Sequence, residues 1–160
     1  MKLDVHWGYN NVQIEEGDEW KAAFITNKGL FEPLVMFFGL TNSPATFQTM
    51  MNHLFRGLIS KGKVVIYMDD ILIFTATIEE HRQIVQEVLQ ILAQNKLYLK
   101  PEKCDFEQME IEYLGLRITY DKIMMDPIKV QGVADWPVPH NVTDVRSFLG
   151  FTNFYRLSLK

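Results

Sequence analysis

The fold is decided by the stretch Val64-Val65-Ile66-Tyr67-Met68-Asp69-Asp70-Ile71-Leu72-Ile73-Phe74. Its two apolar, largely β-branched runs are typical of strands, and the adjacent acids lie where a tight hairpin would turn. Because each run is apolar on both faces, we expect a hairpin that is buried centrally in a sheet. The two acids at its tip predict either a polar turn, in which aspartate is common, or a metal site. This stretch alone leaves both interpretations open.

The composition is that of a globular protein that fits one domain or most of one. The chain has 160 residues, of which 48% are hydrophobic and 22% are charged. No apolar run approaches the roughly 18 residues needed to span a bilayer, and the first residues lack the apolar core of a signal peptide. The single cysteine, Cys104, excludes an internal disulfide and suits a reducing compartment. We therefore predict a protein that is neither secreted nor associated with a membrane.

The charge balance argues mildly against a free-standing nucleic-acid binder. The formal net charge is −4, whereas proteins that bind nucleic acids alone usually carry a basic face. The four histidines and the one cysteine are scattered along the chain, so no zinc-binding pattern is present.

The strongest predicted helix precedes the hairpin. Asn42 can cap this helix and Pro44 suits its first turn. Six apolar side chains then recur at helical spacing, namely Phe47, Met50, Met51, Leu54, Phe55 and Leu58. Burial of six such side chains contributes on the order of 10 kcal/mol before conformational entropy is subtracted. We expect the helix to anchor the core and to end by Gly62.

The remaining elements predict an α+β fold with an antiparallel sheet. Further strands are expected at residues 3–5, 12–14, 21–26, 30–36 and 97–99, and a smaller hairpin is expected from 111–119 and 123–125. Thr77 begins a capping box with Glu80 and predicts a helix to about Asn95. Helices are also predicted after Asp126 and over about 143–155. In the last of these, three apolar residues predict half of an interface: Phe148, Leu149 and Phe151.

Three acids are candidates for chemistry, namely Asp4, Asp69 and Asp70. A phosphoryl-transfer site with two Mg²⁺ ions takes oxygen ligands from a few rigid carboxylates, while waters and substrate phosphates fill the other positions. Such ions lie roughly 3.5–4 Å apart, one at the attacking hydroxyl and one at the leaving group. An aspartate on one strand beside an Asp-Asp hairpin on its neighbour suits this arrangement. Three unrelated acids at strand ends remain the alternative.

Six segments, in order along the chain, resemble the reverse transcriptase domain of gypsy-class long-terminal-repeat retrotransposons. They are Leu3-Asp4-Val5 with Gly8-Tyr9, Phe38 to Gln48, Tyr67 to Phe74, Leu97 to Cys104, Tyr113-Leu114-Gly115, and Ser147-Phe148-Leu149-Gly150. Within them, Tyr67-Met68-Asp69-Asp70 is similar to the family's Tyr-x-Asp-Asp motif. The resemblance covers essentially all of the chain and favours the metal site over a simple turn.

The resemblance implies an α+β polymerase palm, with an antiparallel sheet and helices packed on one face. It implies the palm with partial fingers over residues 1–125 and the first thumb or connection helices over residues 126–160. The rest of the fingers, the thumb and a ribonuclease H domain are expected elsewhere in a polyprotein. The acidic balance fits this expectation, because the phosphate-binding surfaces would lie largely on those parts.

The resemblance also implies the reaction and its ligands. A primer 3′-hydroxyl would attack the α-phosphate of a deoxynucleoside triphosphate on an RNA or DNA template. Asp4 and Asp69 would ligate two Mg²⁺ ions, with Asp70 beside them and Mn²⁺ as an alternative metal. Tyr9 would lie under the incoming sugar as a steric gate, although simple core packing also accounts for it.

Further residues have roles implied by the same motifs. The nucleotide pocket would be lined by Phe38, Gly39, Tyr67 and Met68, and Gln48 would face the template. Lys103 would donate a proton to the departing pyrophosphate, or would be an ordinary surface lysine. Leu114 and Gly115 would grip the primer end.

Some positions depart from the family pattern. His6 stands where family members usually carry arginine, and the predicted turn at 119–122 lacks the usual glycine. Only three residues precede Asp4, which predicts a short strand for the first ligand. The alternatives are an inactive retroelement relic or co-opted binding module that keeps the palm fold, and, less favoured, a nucleotide cyclase. The expected location is the cytoplasm, in a retroelement particle, or the nucleus.

Overall fold

The computed structural model describes the backbone of residues 1–155 and the side chains of residues 1–153. The chain divides into two compact units, residues 1–106 and 107–160, and each is described by itself. The predicted boundary after Met125 separates palm from thumb, and it stays a prediction; residues 156–160 of that thumb segment lie outside the described residues. None of the described helices has the length and apolar character needed to cross a membrane.

The first unit is built on a four-stranded antiparallel sheet of β1 Lys2–His6, β4 Val64–Tyr67, β5 Asp70–Ile73 and β6 Tyr98–Leu99. The strand order in this sheet is β4-β5-β1-β6. Although β1 begins near the first residue, it is paired on both sides, with β5 and with β6. The strand that carries Asp4 is therefore firmly held.

The prediction that the hairpin is central and buried on both faces is wrong for its first strand. β4 is an edge strand, and only β5 lies inside the sheet. Val64 and Ile66 are buried, whereas Val65 and Tyr67 are 44% and 53% exposed. Side chains alternate between the two faces of a strand, so only one face of β4 contributes to the core.

Three helices belong to the first unit: α1 Ser43–Leu54, α2 Arg56–Ser60 and α3 Ile78–Gln94. The predicted apolar stripe of the first helix is confirmed, because four of its six residues are buried and Met50 and Leu54 are partly buried against the core: the four are Phe47, Met51, Phe55 and Leu58. The single helix predicted to Gly62 is instead broken at Phe55, one residue before Arg56-Gly57. Glycine weakens helices, which favours a break there. Asn42 makes no side-chain cap bond.

The predicted Thr77 cap at the start of α3 is confirmed, whereas the Glu80 carboxylate accepts from the Ala76 N–H, at 3.4 Å, and not from the Thr77 N–H of a full capping box. The Thr77 hydroxyl accepts a hydrogen bond from the Glu80 N–H at 3.2 Å, and the helix ends at Gln94, close to the predicted end. Its core-facing residues are His81, Ile84, Val88 and Leu92. The three aliphatic residues among them belong to one apolar core together with the buried side chains of α1 and of the sheet.

The segment between β1 and α1 holds less strand than predicted. A hairpin of β2 Phe24–Thr26 and β3 Gly29–Phe31 replaces the two longer strands, and 3₁₀ turns occupy Gly8–Asn11 and Glu19–Ala22. Residues 12–14 form only an isolated bridge, between Gln13 and Val35. Both short strands are exposed along their whole length. Neither strand therefore has a buried face whose packing would stabilise a longer strand.

The second unit contains a three-stranded antiparallel sheet rather than the predicted two-stranded hairpin. Its strands are β7 Ile111–Tyr113, β8 Leu116–Ile118 and β9 Ile123–Met125. The extra turn is Leu114-Gly115, where both residues have positive φ, 52° and 74°. Positive φ at both central residues defines a type I′ turn, which suits the twist of a hairpin.

Two helices follow in this unit, α4 Pro127–Ala134 and α5 Val142–Tyr155, close to the predicted positions. The Asp126 side chain caps α4 by accepting from the Ile128 N–H at 3.0 Å. The predicted half-interface on α5 is partly covered, because Trp136 packs on Phe148 and Phe151 with ring centroids 5.6 and 5.3 Å apart. Leu149 stays 56% exposed.

Candidate active site

A row of polar side chains crosses three neighbouring strands on the sheet face opposite the helices. Tyr67 on β4 is the register partner of Asp70 on β5, and Asp70 is the partner of Asp4 on β1. On β1, Asp4 lies between the buried residues Leu3 and Val5, so strand alternation directs it away from the core. The sequence prediction that Asp4 faces the tip of the acidic hairpin agrees with this register.

The turn at the hairpin tip consists of Met68 and Asp69. Met68 has a positive φ of 53°, a conformation that costs free energy for any residue except glycine. Gln48 on α1 bonds this turn from the side: its Oε1 accepts from the Met68 N–H at 2.8 Å, and its Nε2 donates to the Ile66 carbonyl at 3.1 Å. From β1, the Val5 N–H donates to the Asp69 carbonyl at 2.8 Å. The turn is thus held from two sides.

The Asp69 carboxylate carries an unsatisfied oxygen. Its Oδ1 is buried and accepts no hydrogen bond from the described part of the chain. Burial raises the pKa of the Asp69 carboxyl above its ordinary value, and the charges of Asp4 and Asp70 raise it further, against a lowering by Lys103. The carboxyl is therefore held where its negative charge is poorly compensated by the protein.

The neighbouring acids have partial compensation from lysines. Burial raises the pKa of the Asp70 carboxyl, Lys2 opposes that rise, and Asp4 adds to it. Lys103 lies in the 3₁₀ turn Pro101–Lys103 and places its Nζ 3.8 Å from Asp4 Oδ2. Its side chain is 56% exposed, so solvent screens this ion pair.

Gly8 and Tyr9 lie on the other side of Asp69. A Cβ at position 8 would collide with Asp69 Oδ1 and with the Phe47 ring, so only glycine allows the backbone this close. The Tyr9 hydroxyl points at Met68 Sδ, 3.8 Å away. Burial raises the pKa of the Tyr9 phenol, and the charge of Asp69 adds to the rise.

Tyr9 also belongs to an aromatic group that reaches the surface. Its ring packs edge-on against Phe47, at 5.4 Å between centroids, and against Phe38, at 4.8 Å. Phe47 is fully buried, whereas Phe38 is 71% exposed. Gly39 follows with a φ of 104°, a conformation that glycine adopts without strain. The structure therefore brings Phe38 and Tyr9 together beside the acidic turn, and core packing of Tyr9 is part of its environment.

The residues 1–118 match the family model described as reverse transcriptase (RNA-dependent DNA polymerase). The chain belongs to this family. It is 40% identical over 154 residues to the retrovirus-related Pol polyprotein from transposon 297 of Drosophila melanogaster, covering 96% of this chain and 14% of that protein. It is 36% identical to the transposon Tf2-3 polyprotein of Schizosaccharomyces pombe, covering 97% of this chain and 12% of that protein. These relatives agree with the gypsy-class resemblance.

Solved structures support the fold of this reverse transcriptase chain. A foamy viral protease-reverse transcriptase in complex with an RNA/DNA hybrid superposes with a TM-score of 0.82 at 24% identity, over 97% of this chain and 21% of the other. The same kind of protein in complex with double-stranded DNA gives a TM-score of 0.86 at 24% identity, over 97% and 27% of the two chains. The predicted α+β palm is thereby confirmed.

The family is dependent on divalent metal ions, and the donor set here fits an open cation site. Within the described residues, no group of three or more His, Cys, Asp or Glu side chains is placed so that it could hold a metal ion. Mg²⁺, however, usually takes one or two protein carboxylates and fills its other positions with water and substrate phosphates. The unsatisfied Asp69 Oδ1 and the only partly compensated charge of the neighbouring acids are the features that a cation would relieve.

Other site residues differ in how the structure relates them to the acids. Tyr67, Met68 and Gln48 adjoin the acidic turn directly. Leu114 and Gly115, the predicted primer grip, form the β7–β8 turn of the second unit. That assignment stays a prediction.

Sequence reasoning missed the structural importance of Gly8. The sequence shows only the place of Gly8 in the motif, since nothing local in it reveals that the backbone of Gly8 faces Asp69. The requirement arises where the 3₁₀ turn Gly8–Asn11, the β4–β5 turn and α1 meet, and it becomes visible only in three dimensions. A glycine directly before a motif tyrosine was the one available signal.

Proposed function

We propose that this chain is the palm, with partial fingers, of an RNA-directed DNA polymerase that extends a primer 3′-hydroxyl with deoxynucleotides. The observation that carries this proposal is the register of Asp4 with Asp70, next to the buried and unsatisfied Oδ1 of Asp69. Family membership supports the same activity. The chain spans 12 to 15% of the length of the curated relatives it matches, so the activity of the whole protein is part of the proposal.

Asp4, Asp69 and Asp70 would hold two Mg²⁺ ions, or Mn²⁺ in their place. When bound, the metal would activate the attacking hydroxyl and neutralise charge on the triphosphate. The protein contributes rigidity, because β1 and β5 fix two of the carboxylates in register. It also contributes the negative potential of the poorly compensated Asp69.

The incoming nucleotide would lie beside the aromatic group. Tyr9 would act as the steric gate under the sugar, its ring leaving no room for a 2′-hydroxyl. Its contacts with Phe47 and Met68 support this role because they fix the ring. Phe38, Gly39 and Tyr67 would complete the pocket, and the exposure of Phe38 supports contact with a ligand.

Lys103 would donate a proton to the departing pyrophosphate. Its ammonium lies 3.8 Å from Asp4 Oδ2, and a positive charge beside the acids suits developing negative charge on a leaving group. The primer end would be gripped by Leu114 and Gly115 of the second unit. Gln48 would face the template from α1.

The partners would be a primer–template of RNA or DNA, deoxynucleoside triphosphates, and the fingers, thumb and ribonuclease H parts of a polyprotein. Structural neighbours solved with an RNA/DNA hybrid and with double-stranded DNA support the nucleic-acid partner. Relatives that are polyproteins support the larger context. A location in a cytoplasmic retroelement particle or in the nucleus is part of this proposal.

A primer-extension assay with an RNA template, deoxynucleotides and Mg²⁺ tests the activity. It should be run on the full polypeptide that carries this chain, with Asp69→Asn as the active-site variant and Asp121→Asn as a control in an exposed loop. We expect extension that depends on Mg²⁺ and is lost only in Asp69→Asn. Extension that Asp69→Asn leaves unchanged would rule out the proposed site.

The second candidate is a catalytically inactive module that keeps the palm fold for binding. The observation that favours it is the ion pair of Asp4 with Lys103, which occupies a carboxylate that the metals would need. Calorimetric titration with Mg²⁺ and a deoxynucleoside triphosphate distinguishes the two. A folded chain that binds neither at saturating metal would favour the inactive module.

A further inference from the structure

We infer that Gln48 is a positioning residue for the acidic turn, acting as a substitute strand partner along the outer edge of β4. This inference deepens the proposed function and rests on it for its catalytic consequence. It differs from the template contact expected for Gln48, because both polar atoms of its side chain are engaged by the turn. The geometry that carries it has three parts.

The first part is the pattern of the two hydrogen bonds. Gln48 Nε2 donates to the Ile66 carbonyl at 3.1 Å, and Oε1 accepts from the Met68 N–H at 2.8 Å. Residues two apart on a strand direct their backbone groups to the same edge, and a neighbouring strand would bond this C=O and N–H together. One side-chain amide, which has the donor and acceptor of a peptide group, bonds both.

The second part is the position of β4. It is the edge strand of the four-stranded sheet, and within the described chain no strand pairs with its outer side. The Tyr67-to-Asp70 pairing ends the ladder on the inner side. Without Gln48, the turn would keep the hydrogen bond from the Val5 N–H to the Asp69 carbonyl and the contact of the Tyr9 hydroxyl with Met68 Sδ, but it would have no partner on the outer side of β4 within the described chain.

The third part is the strain in the turn and the rigidity of its support. Met68 has φ 53°, a left-handed conformation that persists in a non-glycine residue when surrounding contacts determine it. Gln48 follows Phe47, which is fully buried and anchors α1 in the core. The residue that holds Met68 thus directly follows one of the most firmly packed residues of the unit. A loss of its two bonds would loosen the turn that carries Asp69, whereas Asp70 would stay paired within the sheet.

The chain offers matched variants. Gln48→Met keeps the length and helix propensity of the side chain but removes both bonds. Gln48→Glu keeps an acceptor for the Met68 N–H and loses the donor to Ile66. Asn52→Ala removes only the 2.9 Å bond from Gln48 Nε2 to Asn52 Oδ1 and leaves the turn bonds in place.

The test is amide hydrogen exchange at Met68, measured by NMR, together with titration of Mn²⁺. In Gln48→Met we expect Met68 exchange to accelerate by about five- to tenfold, the effect of losing one hydrogen bond. Exchange in α3, at Val88, should stay unchanged, which separates a local release from global destabilisation. Mn²⁺ binding should weaken by about three- to tenfold. Gln48→Glu should keep the Met68 protection, and Asn52→Ala should match the wild type in both measurements.

Met68 exchange that is the same in Gln48→Met and in the wild type would overturn the inference. So would an equal acceleration in Asn52→Ala. A wild type that binds no Mn²⁺, together with loss of Met68 protection in Gln48→Met, would overturn the proposed metal site and still support the bracing of the turn. The failure of the proposed function and that of the positioning role therefore give different results.

Discussion

Gly8 and Asp69 approach so closely that the space beside Asp69 Oδ1 cannot hold a Cβ on residue 8. The same missing atom leaves room for the Phe47 ring, which is fully buried. Gly8 therefore has two structural effects. It lets α1 pack against the sheet, and it leaves Asp69 Oδ1 free at the candidate metal site. The first prediction follows from this relationship.

Gly8→Ala should destabilise the fold and weaken metal binding at once. The new methyl group must displace either the Phe47 ring or the Asp69 carboxylate, and overpacking of this kind costs about 1–3 kcal/mol. Chemical denaturation gives the loss in the free energy of unfolding, and Mn²⁺ titration gives the change in affinity. Gly57→Ala is the matched control, because its Cβ meets nothing within 4 Å and alanine favours a helix by up to about 1 kcal/mol. Equal behaviour of the two variants would contradict the close approach.

Phe47→Ala should lower the free energy of unfolding by roughly 3–5 kcal/mol. Phe47 is fully buried and contacts Tyr9, so its removal leaves a cavity between α1 and the sheet. Phe38→Ala, at a ring that is 71% exposed, should cost at most about 1.5 kcal/mol, the value of its single aromatic contact. Urea unfolding followed by tryptophan fluorescence measures both. A loss below about 1 kcal/mol for Phe47→Ala would mean that the buried face of α1 is misassigned.

The sequence predicts those parts of the fold that depend on local patterns. The helix cap at Thr77 and the apolar stripe that begins at Phe47 are predictable from the sequence, because caps and helical periodicity depend on residues a few positions apart. The acidic turn was predictable for the same reason. The α+β class and the family could be predicted too, since the motifs occur in order.

Features that depend on distant parts of the chain were not predictable. The β-branched run at Val64–Tyr67 cannot reveal whether a further strand or solvent lies beside it, and the structure makes it an edge. Gln48 is 20 residues from Met68, and a polar residue on a helix ordinarily indicates a solvated face. Its role as a partner of the turn is defined by tertiary contacts, as is the need for glycine at position 8.

The pH dependence of the free energy of unfolding should reveal the raised pKa of the Asp69 carboxyl. Its pKa is raised in the folded state, so the folded chain binds more protons than the unfolded chain above the ordinary aspartate pKa of about 3.9. Stability associated with this group is present below that pH and is lost as the pH rises through the folded pKa. We therefore expect Asp69→Asn to be more stable than the wild type at pH 7, with a difference that shrinks toward pH 3.

Thermal unfolding of both proteins across this pH range, without metal, measures the difference. Asp121→Asn, at an exposed turn, provides the control and should follow the wild type at every pH. Mg²⁺ should stabilise the wild type and the Asp121→Asn control, but not Asp69→Asn, by about 2.7 kcal/mol at a concentration 100 times its dissociation constant. A wild type that gains stability relative to Asp69→Asn between pH 4 and pH 7 would contradict the raised pKa.

Lys103→Gln should separate the two interpretations of this lysine. The ammonium lies 3.8 Å from Asp4 Oδ2 and is more than half exposed, and such ion pairs are worth about 0.2–1 kcal/mol. Because a metal would compete with this pair, its removal should tighten Mg²⁺ binding by up to about fivefold. Lys61→Gln, which breaks a comparable exposed contact of 4.0 Å with Glu87, should leave the affinity unchanged.

The rate of primer extension then decides the chemical role. If Lys103 donates the proton to pyrophosphate, kcat of the full polypeptide should fall by about 100-fold or more in Lys103→Gln, the usual contribution of a general acid. Tighter metal binding with an unchanged kcat would instead identify Lys103 as a surface lysine that only competes for Asp4. A general loss of folding would lower both the Mg²⁺ affinity and kcat. Tighter Mg²⁺ binding together with a lower kcat in the same Lys103→Gln variant therefore excludes that explanation.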